Sequence, residues 1–385
     1  MSLEFLIIDN EHALVELCGQ LKNSAWLAVD TEFERERTFY PELCLLQISN
    51  NDIAAVIDPF AIDNIEPLFD LLYDTSITKV FHAARQDLEI FFNITGDVPV
   101  PLFDTQIAAQ LLGHSDQISY ANLVKNILAV ELDKTHTRTD WKRRPLTDSQ
   151  LRYAVDDVIY LGQLYVQLLA KLNSLNRLEW LVDDFAALAD AELYKPDPEK
   201  VWMKIRNANR LKGNELSVLQ ALAAWRERTA RQQNRPKKWL ISDDTLIGMA
   251  RLLPDNPADL SAIKGLHERV YKRQASELLE IIAEARHKIP QPLAVPKAGK
   301  ALNVREQAKV DVLMAIVRLR AQQHDLNPSI LASRKELERF VQEQTGSTLL
   351  TGWREHLIGH ELCEFLSGKI SLQVENQSLS IIDAR

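Results

Sequence analysis

One short stretch, residues 27–33, constrains the fold of this chain more than any other. Its sequence, Leu-Ala-Val-Asp-Thr-Glu-Phe, sets two acids two positions apart among apolar and β-branched residues. Side chains alternate between the faces of a strand, so Asp30 and Glu32 project from the same face of a predicted strand. Two neighbouring acids repel each other and are costly to bury without a positive partner. The pattern therefore predicts a cation at this face, and a divalent metal ion is the simplest candidate.

The segments around this stretch alternate between strand and helix patterns. Apolar runs at 43–48 and 53–57 are separated by Asn-Asn-Asp, which predicts a hairpin that forms a meander with the first strand. Further downstream, short apolar strands alternate with helical patterns, the last of them at 147–173. This order predicts an α/β domain with a mixed sheet.

The second half of the chain contains a faint internal repeat. Residues 222–228 are echoed by 314–320, and Pro236 and Pro328 follow each copy at the same spacing. Each copy is typical of a helix, a proline-bearing loop and a capped second helix. We therefore expect the chain to be almost wholly helical after its first domain.

The breaks in these patterns predict three domains. A proline-rich connector near residue 195 and a second proline-rich linker near residue 292 interrupt the helical patterns. The predicted bounds are 1–195 for the α/β domain, 211–289 for the first all-α helical domain and 300–378 for the second.

Charge is distributed unevenly along the chain, whose formal net charge is −9. Residues 1–200 hold 33 Asp+Glu and 16 Lys+Arg, whereas residues 201–385 hold 21 and 29. This asymmetry predicts a front half that binds metal and a back half that meets a polyanion. A phosphate-binding face is predicted in the first repeat, with a solvated helix face as the alternative. Its candidate residues are Arg226, Arg228, Lys237 and Lys238.

The sequence predicts a cytoplasmic protein without a membrane partner, and no obligate protein partner is evident. No apolar run approaches the roughly 20 residues that a membrane helix needs, and the N-terminus lacks a basic region ahead of an apolar core. Cys18, Cys44 and Cys363 are far apart and lack metal-ligand spacing. We expect them to be buried free thiols in a reducing compartment.

Two later motifs supply candidate partners for the paired acids on the strand. Asp87 falls in the first turn of a predicted helix just after a strand, where stabilisation of the helix dipole is the alternative role. Tyr153 and Asp157 lie one turn apart on a later helix and share a face. For an isolated pair, a phenol over the core edge and a solvated acid are the alternative. Asp156 could compete with Asp157 as a ligand.

The order of these residues resembles the DEDD exonucleases, in the subclass with tyrosine rather than histidine before the last aspartate. Stretches at 45–48, 82–89, 103–106 and 138–141 are similar to those of the ribonuclease D family. The second half is similar to a tandem pair of the helical HRDC-type modules found in that family and in RecQ helicases. The resemblance implies a ribonuclease H-like exonuclease domain with a mixed sheet, followed by two all-α helical domains.

The resemblance also implies a reaction, namely hydrolysis of phosphodiester bonds from a 3′ end with release of 5′-mononucleotides. Two divalent ions, Mg²⁺ or Mn²⁺, would act as cofactors on hard carboxylate ligands. In the family pattern, one ion is held by Asp30, Glu32 and Asp157, and the other ion is reached by Asp30 and Asp87. Tyr153 in this pattern orients the attacking water. The Tyr-x-x-x-Asp spacing selects Asp157 over its neighbour.

The predicted partner is RNA with a free 3′ end, in particular tRNA precursors and other structured RNAs. Weaker candidates for RNA contacts are Phe33, Gln47, His82, Arg138, Trp141 and Arg143. Core packing, buried hydrogen bonding and a charged surface loop are the alternatives for these positions. Two other functions stay open at this point: a DNA 3′–5′ exonuclease, and an inactive nucleic-acid-binding module, although all four carboxylates are present.

Overall fold

A six-stranded mixed sheet forms the centre of the front domain. The computed structural model describes residues 4–133, 139–292, 301–343, 347–375 and 377–384. The sheet order is β1-β4-β3-β2-β5-β6. The strands are β1 (Leu6–Ile8), β2 (Trp26–Glu34), β3 (Glu42–Ser49), β4 (Ala54–Ile57), β5 (Thr78–Phe81) and β6 (Leu102–Asp104). The predicted β2–β3–β4 meander is antiparallel, and β1, β5 and β6 add in parallel, which confirms the mixed sheet.

Helices cover both faces of this sheet. They are α1 (Glu11–Leu21), α2 (Glu66–Leu72), α3 (Arg85–Thr95), α4 (Thr105–Gln110), α5 (Tyr120–Leu128), α6 (Asp148–Ser174) and α7 (Val182–Leu188). The alternation along β2 gives each face its own core, since Ala28 packs on the α6 side while Leu27 and Val29 pack on the α1 side. The two acids of β2 have the same parity as Ala28, so they project toward α6.

The second half is mainly helical. Its helices are α8 (Gly213–Gln232), α9 (Lys237–Leu240), α10 (Asp243–Leu252), α11 (Pro257–Ser261), α12 (Glu268–Ala285), α13 (Val304–Gln323), α14 (Pro328–Leu331), α15 (Arg334–Glu343), α16 (Gly352–Arg354) and α17 (His360–Leu366). The predicted repeat is visible as α8–α9–α10 and α13–α14–α15. Ser242 and Ser333 each accept a hydrogen bond from the amide three residues later, and Leu246 and Leu337 are fully buried.

The two helical repeats pack differently on the front domain. The first builds its own core, which extends from Trp202 to Ala285. The second shares a continuous core with the front domain, where the rings of Trp180 and Trp353 stack with centroids 5.0 Å apart. Among the described residues, no helix is long and apolar enough to cross a bilayer.

Three details differ from the sequence predictions. Strand β1 was not predicted, and the back half is not wholly helical, because it ends in a hairpin of β7 (Ile370–Glu375) and β8 (Ser378–Asp383). The predicted bound at residue 378 falls on the first residue of β8, and the domain bounds stay predictions. All three cysteines are free thiols, but only Cys44 is buried, since Cys18 is half-buried and Cys363 is exposed.

Candidate active site

The central strand β2 carries its two acids to the edge of the sheet where the parallel strands end. Asp30 lies opposite Gln47 of β3, and Glu32 lies opposite Leu45. On its other side, β2 pairs with β5 only over residues 26–28. The part of β2 that bears the acids therefore extends past its pairing with β5, toward the start of α3.

The start of α3 is held by a network of hydrogen bonds around Asp87. The hydroxyl of Thr31 donates to Oδ1 of Asp87, which is itself buried. The turn before α3 holds Ala83 in a left-handed conformation with φ of 57°. The backbone amides of Ala83 and Ala84 donate to the carboxylate of Asp104 at 3.1 and 2.8 Å. Asp104, which also caps α4, thereby fixes the turn that positions Asp87.

Helix α6 brings the last acid, Asp157, to the same place. The hydroxyl of Tyr120, on α5, donates to the backbone carbonyl of Asp157. The neighbouring Asp156 instead pairs with Arg152, with 2.6 Å between Oδ1 and Nη2. The carboxylate of Asp156 is therefore engaged outside the acid cluster, whereas Asp157 interacts with Asp30.

The four acids Asp30, Glu32, Asp87 and Asp157 repel one another. Burial raises the pKa of Asp30 to about 6, although the backbone amide of Thr31 opposes this rise. Burial, and then repulsion from the other three acids, raises the pKa of Glu32 to about 9. Burial and the charge of Asp30 also raise the pKa values of Asp87 and Asp157 well above the usual range. Such a cluster is stabilised either by protons or by cations.

The donor set of this cluster fits a divalent metal ion in kind, because carboxylate oxygens are the ligands that hard cations prefer. Among the residues that the structure describes, no three His, Cys, Asp or Glu side chains are closed into a ligand cage. The site as built is thus a cluster of repelling carboxylates rather than a finished metal centre. A cation between them would remove the repulsion that raises their pKa values.

The cluster adjoins a cleft of about 880 Å³. Glu32 lines the cleft, together with half-buried Phe33 and residues of the segment that follows β2. Lys142, which is exposed, lines the opposite wall. Glu32 is thus the member of the acid cluster that opens onto this cleft.

Comparisons with known proteins agree with this geometry. Residues 5–173 match the family profile described as 3′-5′ exonuclease, and residues 215–282 match the HRDC domain. The chain is 37% identical to ribonuclease D of Gluconacetobacter diazotrophicus, over 98% of this chain and 97% of that protein. It is 38% identical to ribonuclease D of Zymomonas mobilis subsp. mobilis, over 99% and 98%. The chain belongs to the ribonuclease D family.

A solved structure supports the same assignment. The crystal structure of Escherichia coli RNase D, an exoribonuclease involved in structured RNA processing, matches with a TM-score of 0.79 and 30% identity. The match covers 94% of this chain and 99% of that chain. Membership in the ribonuclease D family makes this chain a 3′→5′ exoribonuclease that acts on RNA and depends on divalent metal ions. The predicted family, fold and activity are thereby confirmed.

Within this ribonuclease D fold, three of the predicted RNA-contacting side chains are buried or hydrogen-bonded within the protein. Gln47 is 0% exposed, and neither atom of its amide has a hydrogen-bond partner among the described residues. Both ring nitrogens of His82 are engaged, by the hydroxyl of Thr105 at 2.9 Å and the carbonyl of Ile118 at 3.2 Å. Trp141 is 4% exposed. Gln47 is thus buried and His82 is engaged by internal hydrogen bonds, and RNA contact by either residue stays a prediction.

The remaining predicted contacts around the cleft fall into three groups. Trp141 lines the cleft, its ring packs 6.2 Å from that of Tyr153, and its contact with RNA stays a prediction. Phe33 and exposed Arg143 stay predictions. Arg138 lies outside the described residues.

The predicted basic face of the first helical repeat is partly buried. Arg226 is 6% exposed, donates to the carbonyl of Ile241 at 2.8 Å and pairs with Asp243 at 2.7 Å. It therefore stabilises the helical core, and its contact with RNA stays a prediction. Arg228 is exposed but pairs with Glu199 at 2.6 Å.

A basic groove that the sequence did not reveal lies beside this face. It has a volume of about 530 Å³ and runs between α9 and the start of α12. Trp239 is 56% exposed in it, an unusual position for an indole ring. The basic and aromatic residues that line it are Arg235, Lys238, Trp239, His267, Arg269 and Arg273. Of the four basic candidates, only Lys238 lines this groove. The adjacent residues Lys238 and Trp239, a base next to an aromatic ring, are the sequence signal that could have predicted the groove.

The two neighbouring aspartates of α6 provide a matched test of the acid cluster. We expect Asp157→Asn to lower kcat by at least about a hundredfold, because losing one carboxylate of a metal-binding cluster removes several kcal/mol of transition-state stabilisation. Asp156→Asn should stay within about threefold of the wild type, because it breaks only a half-buried i,i+4 pair with Arg152, worth about 0.5 kcal/mol. Single-turnover hydrolysis of 5′-labelled RNA measures both. Equal losses in the two variants would contradict the assignment.

The unpartnered amide of Gln47 predicts an unusual effect on stability. Gln47→Leu should raise the melting temperature, since a buried amide without partners costs about 1–3 kcal/mol. Ser49, on the same face of β3, is the control, because its hydroxyl donates to the carbonyl of Val158 at 2.8 Å. Ser49→Ala should lower the melting temperature. A rise in KM for RNA without any gain in stability would instead assign Gln47 to the substrate.

Proposed function

We propose that Asp30, Glu32, Asp87 and Asp157 hold two divalent ions, Mg²⁺ or Mn²⁺, during 3′→5′ hydrolysis of RNA. The observation that carries the proposal is the convergence of four acids from β2, α3 and α6 on one buried place. Asp30 raises the pKa values of the other three, which suits it to bridge the two ions. When bound, such ions lower the pKa of a water ligand and neutralise charge on the leaving oxygen.

Side chains around the four acids orient the acids and the attacking water. The Thr31 hydroxyl donates to one oxygen of the Asp87 carboxylate and so helps to orient this acid. Tyr120 fixes the backbone of Asp157 through its carbonyl. Tyr153 lies one turn before Asp157 on the same helix, and in this proposal its hydroxyl orients the attacking water.

We propose tRNA precursors and other structured RNAs as the natural substrates. Two surfaces support this choice: the cleft beside the acids takes a 3′ end, and the basic groove of the first helical repeat binds the body of the RNA. Lysine and arginine contacts to phosphates supply sequence-independent affinity, and an exposed indole stacks on unpaired bases. We also propose a cytoplasmic location, where these RNA substrates would be met.

A labelling experiment tests the reaction and its metal requirement. We expect RNA labelled at the 3′ end to release labelled mononucleotide first with Mg²⁺ or Mn²⁺, and no product with EDTA. Asp30→Asn should abolish product formation at an unchanged melting temperature, because it removes the proposed bridging ligand. DNA of the same sequence should be cut more slowly. Faster hydrolysis of DNA would favour a DNA exonuclease, and full activity of Asp30→Asn would reject the site.

The groove can be tested separately from the cleft. The double change Lys238→Ala and Arg273→Ala should weaken binding to a structured RNA about tenfold or more and reduce the slope of log K against log salt by about two. Trp239→Ala should cost about 1–3 kcal/mol of affinity for RNA with unpaired bases. Lys272→Ala is the control, since Lys272 lies on the same helix but pairs with Glu268 at 2.6 Å. Equal losses in the control would show that overall charge, rather than the groove, binds RNA.

A further inference from the structure

We infer that the first helical repeat holds one wall of the catalytic cleft in place, and that Asn234 is the positioning residue of this contact. The inference rests on the proposed role of the cleft. The wall is the segment 35–41, which connects β2 to β3 and is called the wall loop here. Glu36, Arg37 and Thr38 of the wall loop line the cleft directly after Glu32 and Phe33. Any contact that fixes the wall loop therefore fixes the shape of the cleft.

Asn234 makes the central contact between the two parts of the chain. Its side-chain oxygen accepts hydrogen bonds from the backbone amides of Phe39 and Tyr40 at 3.0 and 3.1 Å. Asn234 lies between α8 and α9 with φ of 46°, a left-handed conformation that asparagine tolerates better than most residues. One side chain thus binds two successive amides of the wall loop.

A second contact surrounds the ring of Phe39. The guanidinium of Arg231 and the ammonium of Lys237 lie 5.8 and 5.7 Å from the ring centroid. Both cations pair with Glu227, at 3.0 and 2.9 Å, and the side chain of Glu227 is 1% exposed. The buried carboxylate fixes both cations, and the cations hold the aromatic ring by cation–π attraction. These two basic residues therefore bind the front domain.

The other end of the wall loop is joined to the helix that carries Asp87. Arg35 donates to the carbonyl of Phe39 at 3.1 Å and makes two hydrogen bonds to Glu89, at 2.9 and 2.8 Å. Glu89 lies on α3, two positions after Asp87. The wall loop is thus held between the helical repeat and the catalytic helix. Because the contact acts on the cleft itself, its loss should affect substrates of every length.

Three variants at two asparagines test this inference in the full-length protein. Asn234→Gly keeps the left-handed backbone accessible but removes the acceptor, whereas Asn234→Asp keeps an acceptor for both amides. Asn207→Gly is the control, because Asn207 is also left-handed, with φ of 67°, and its side chain makes no capping hydrogen bond. An RNA dinucleotide and a structured RNA serve as substrates. Melting temperatures and hydrogen exchange of the amides of Phe39 and Tyr40 are measured alongside kcat and KM.

We expect Asn234→Gly to lower kcat about tenfold on both substrates, because misplacement of a cleft wall by a fraction of an ångström has effects of that order. The amides of Phe39 and Tyr40 should exchange faster in this variant. Asn234→Asp should restore both readouts, and Asn207→Gly should match the wild type.

Several results would overturn the inference. Wild-type kcat of Asn234→Gly on the dinucleotide would do so, whether or not the structured RNA were affected. An equal loss in Asn207→Gly would indicate general destabilisation. Unchanged exchange of the wall-loop amides would show that the contact is absent in solution. The proposed catalytic site is judged separately, by whether Asp30→Asn retains activity, so failure of one does not count as failure of the other.

Discussion

Repulsion among four acids, of which Asp87 is buried and the other three are half-buried, is the constraint on which the rest of this structure depends. Asp30 and Glu32 come from a single strand, and the chain must bring Asp87 and Asp157 beside them against their mutual charge. The energy for this arrangement comes from the two apolar cores on either face of the sheet. The central place of β2 in the sheet lets both cores hold the strand that carries the acids. A cation bound between them would convert the repulsion into attraction and would couple the fold to metal binding.

The parts of the fold that the sequence predicted are those with a strong, long periodic pattern. The β2–β3–β4 meander and the helix predicted at 147–173 are found nearly at their expected bounds. Strand β1 has only three residues, and the C-terminal hairpin is stabilised by packing of Leu372 and Ile381 on a core built by distant helices. Short elements whose stability comes from tertiary contacts carry too little local pattern to be recognised.

The candidate site likewise contains features that a local sequence pattern predicts and features that depend on tertiary contacts. The acids could be found because their chemistry is tied to spacing, two positions on a strand and four on a helix. The hydrogen bonds from Thr31 to Asp87 and from Tyr120 to Asp157 join residues that are far apart in the sequence, so no local pattern reports them. The sequence did not predict the burial of Arg226, because composition does not say which face of a helix is buried.

The short helix α9 shows how closely substrate binding and cleft geometry are joined. Consecutive residues of a helix point about 100° apart, so neighbours serve different surfaces. Lys237 faces the ring of Phe39 and holds the wall loop, while Lys238 and Trp239 line the basic groove. RNA bound in the proposed groove would therefore contact the same helix that steadies the proposed catalytic cleft. The arrangement of catalytic and helical domains would then give more than added affinity, because one element would bind the RNA body and also support the site that cuts its 3′ end.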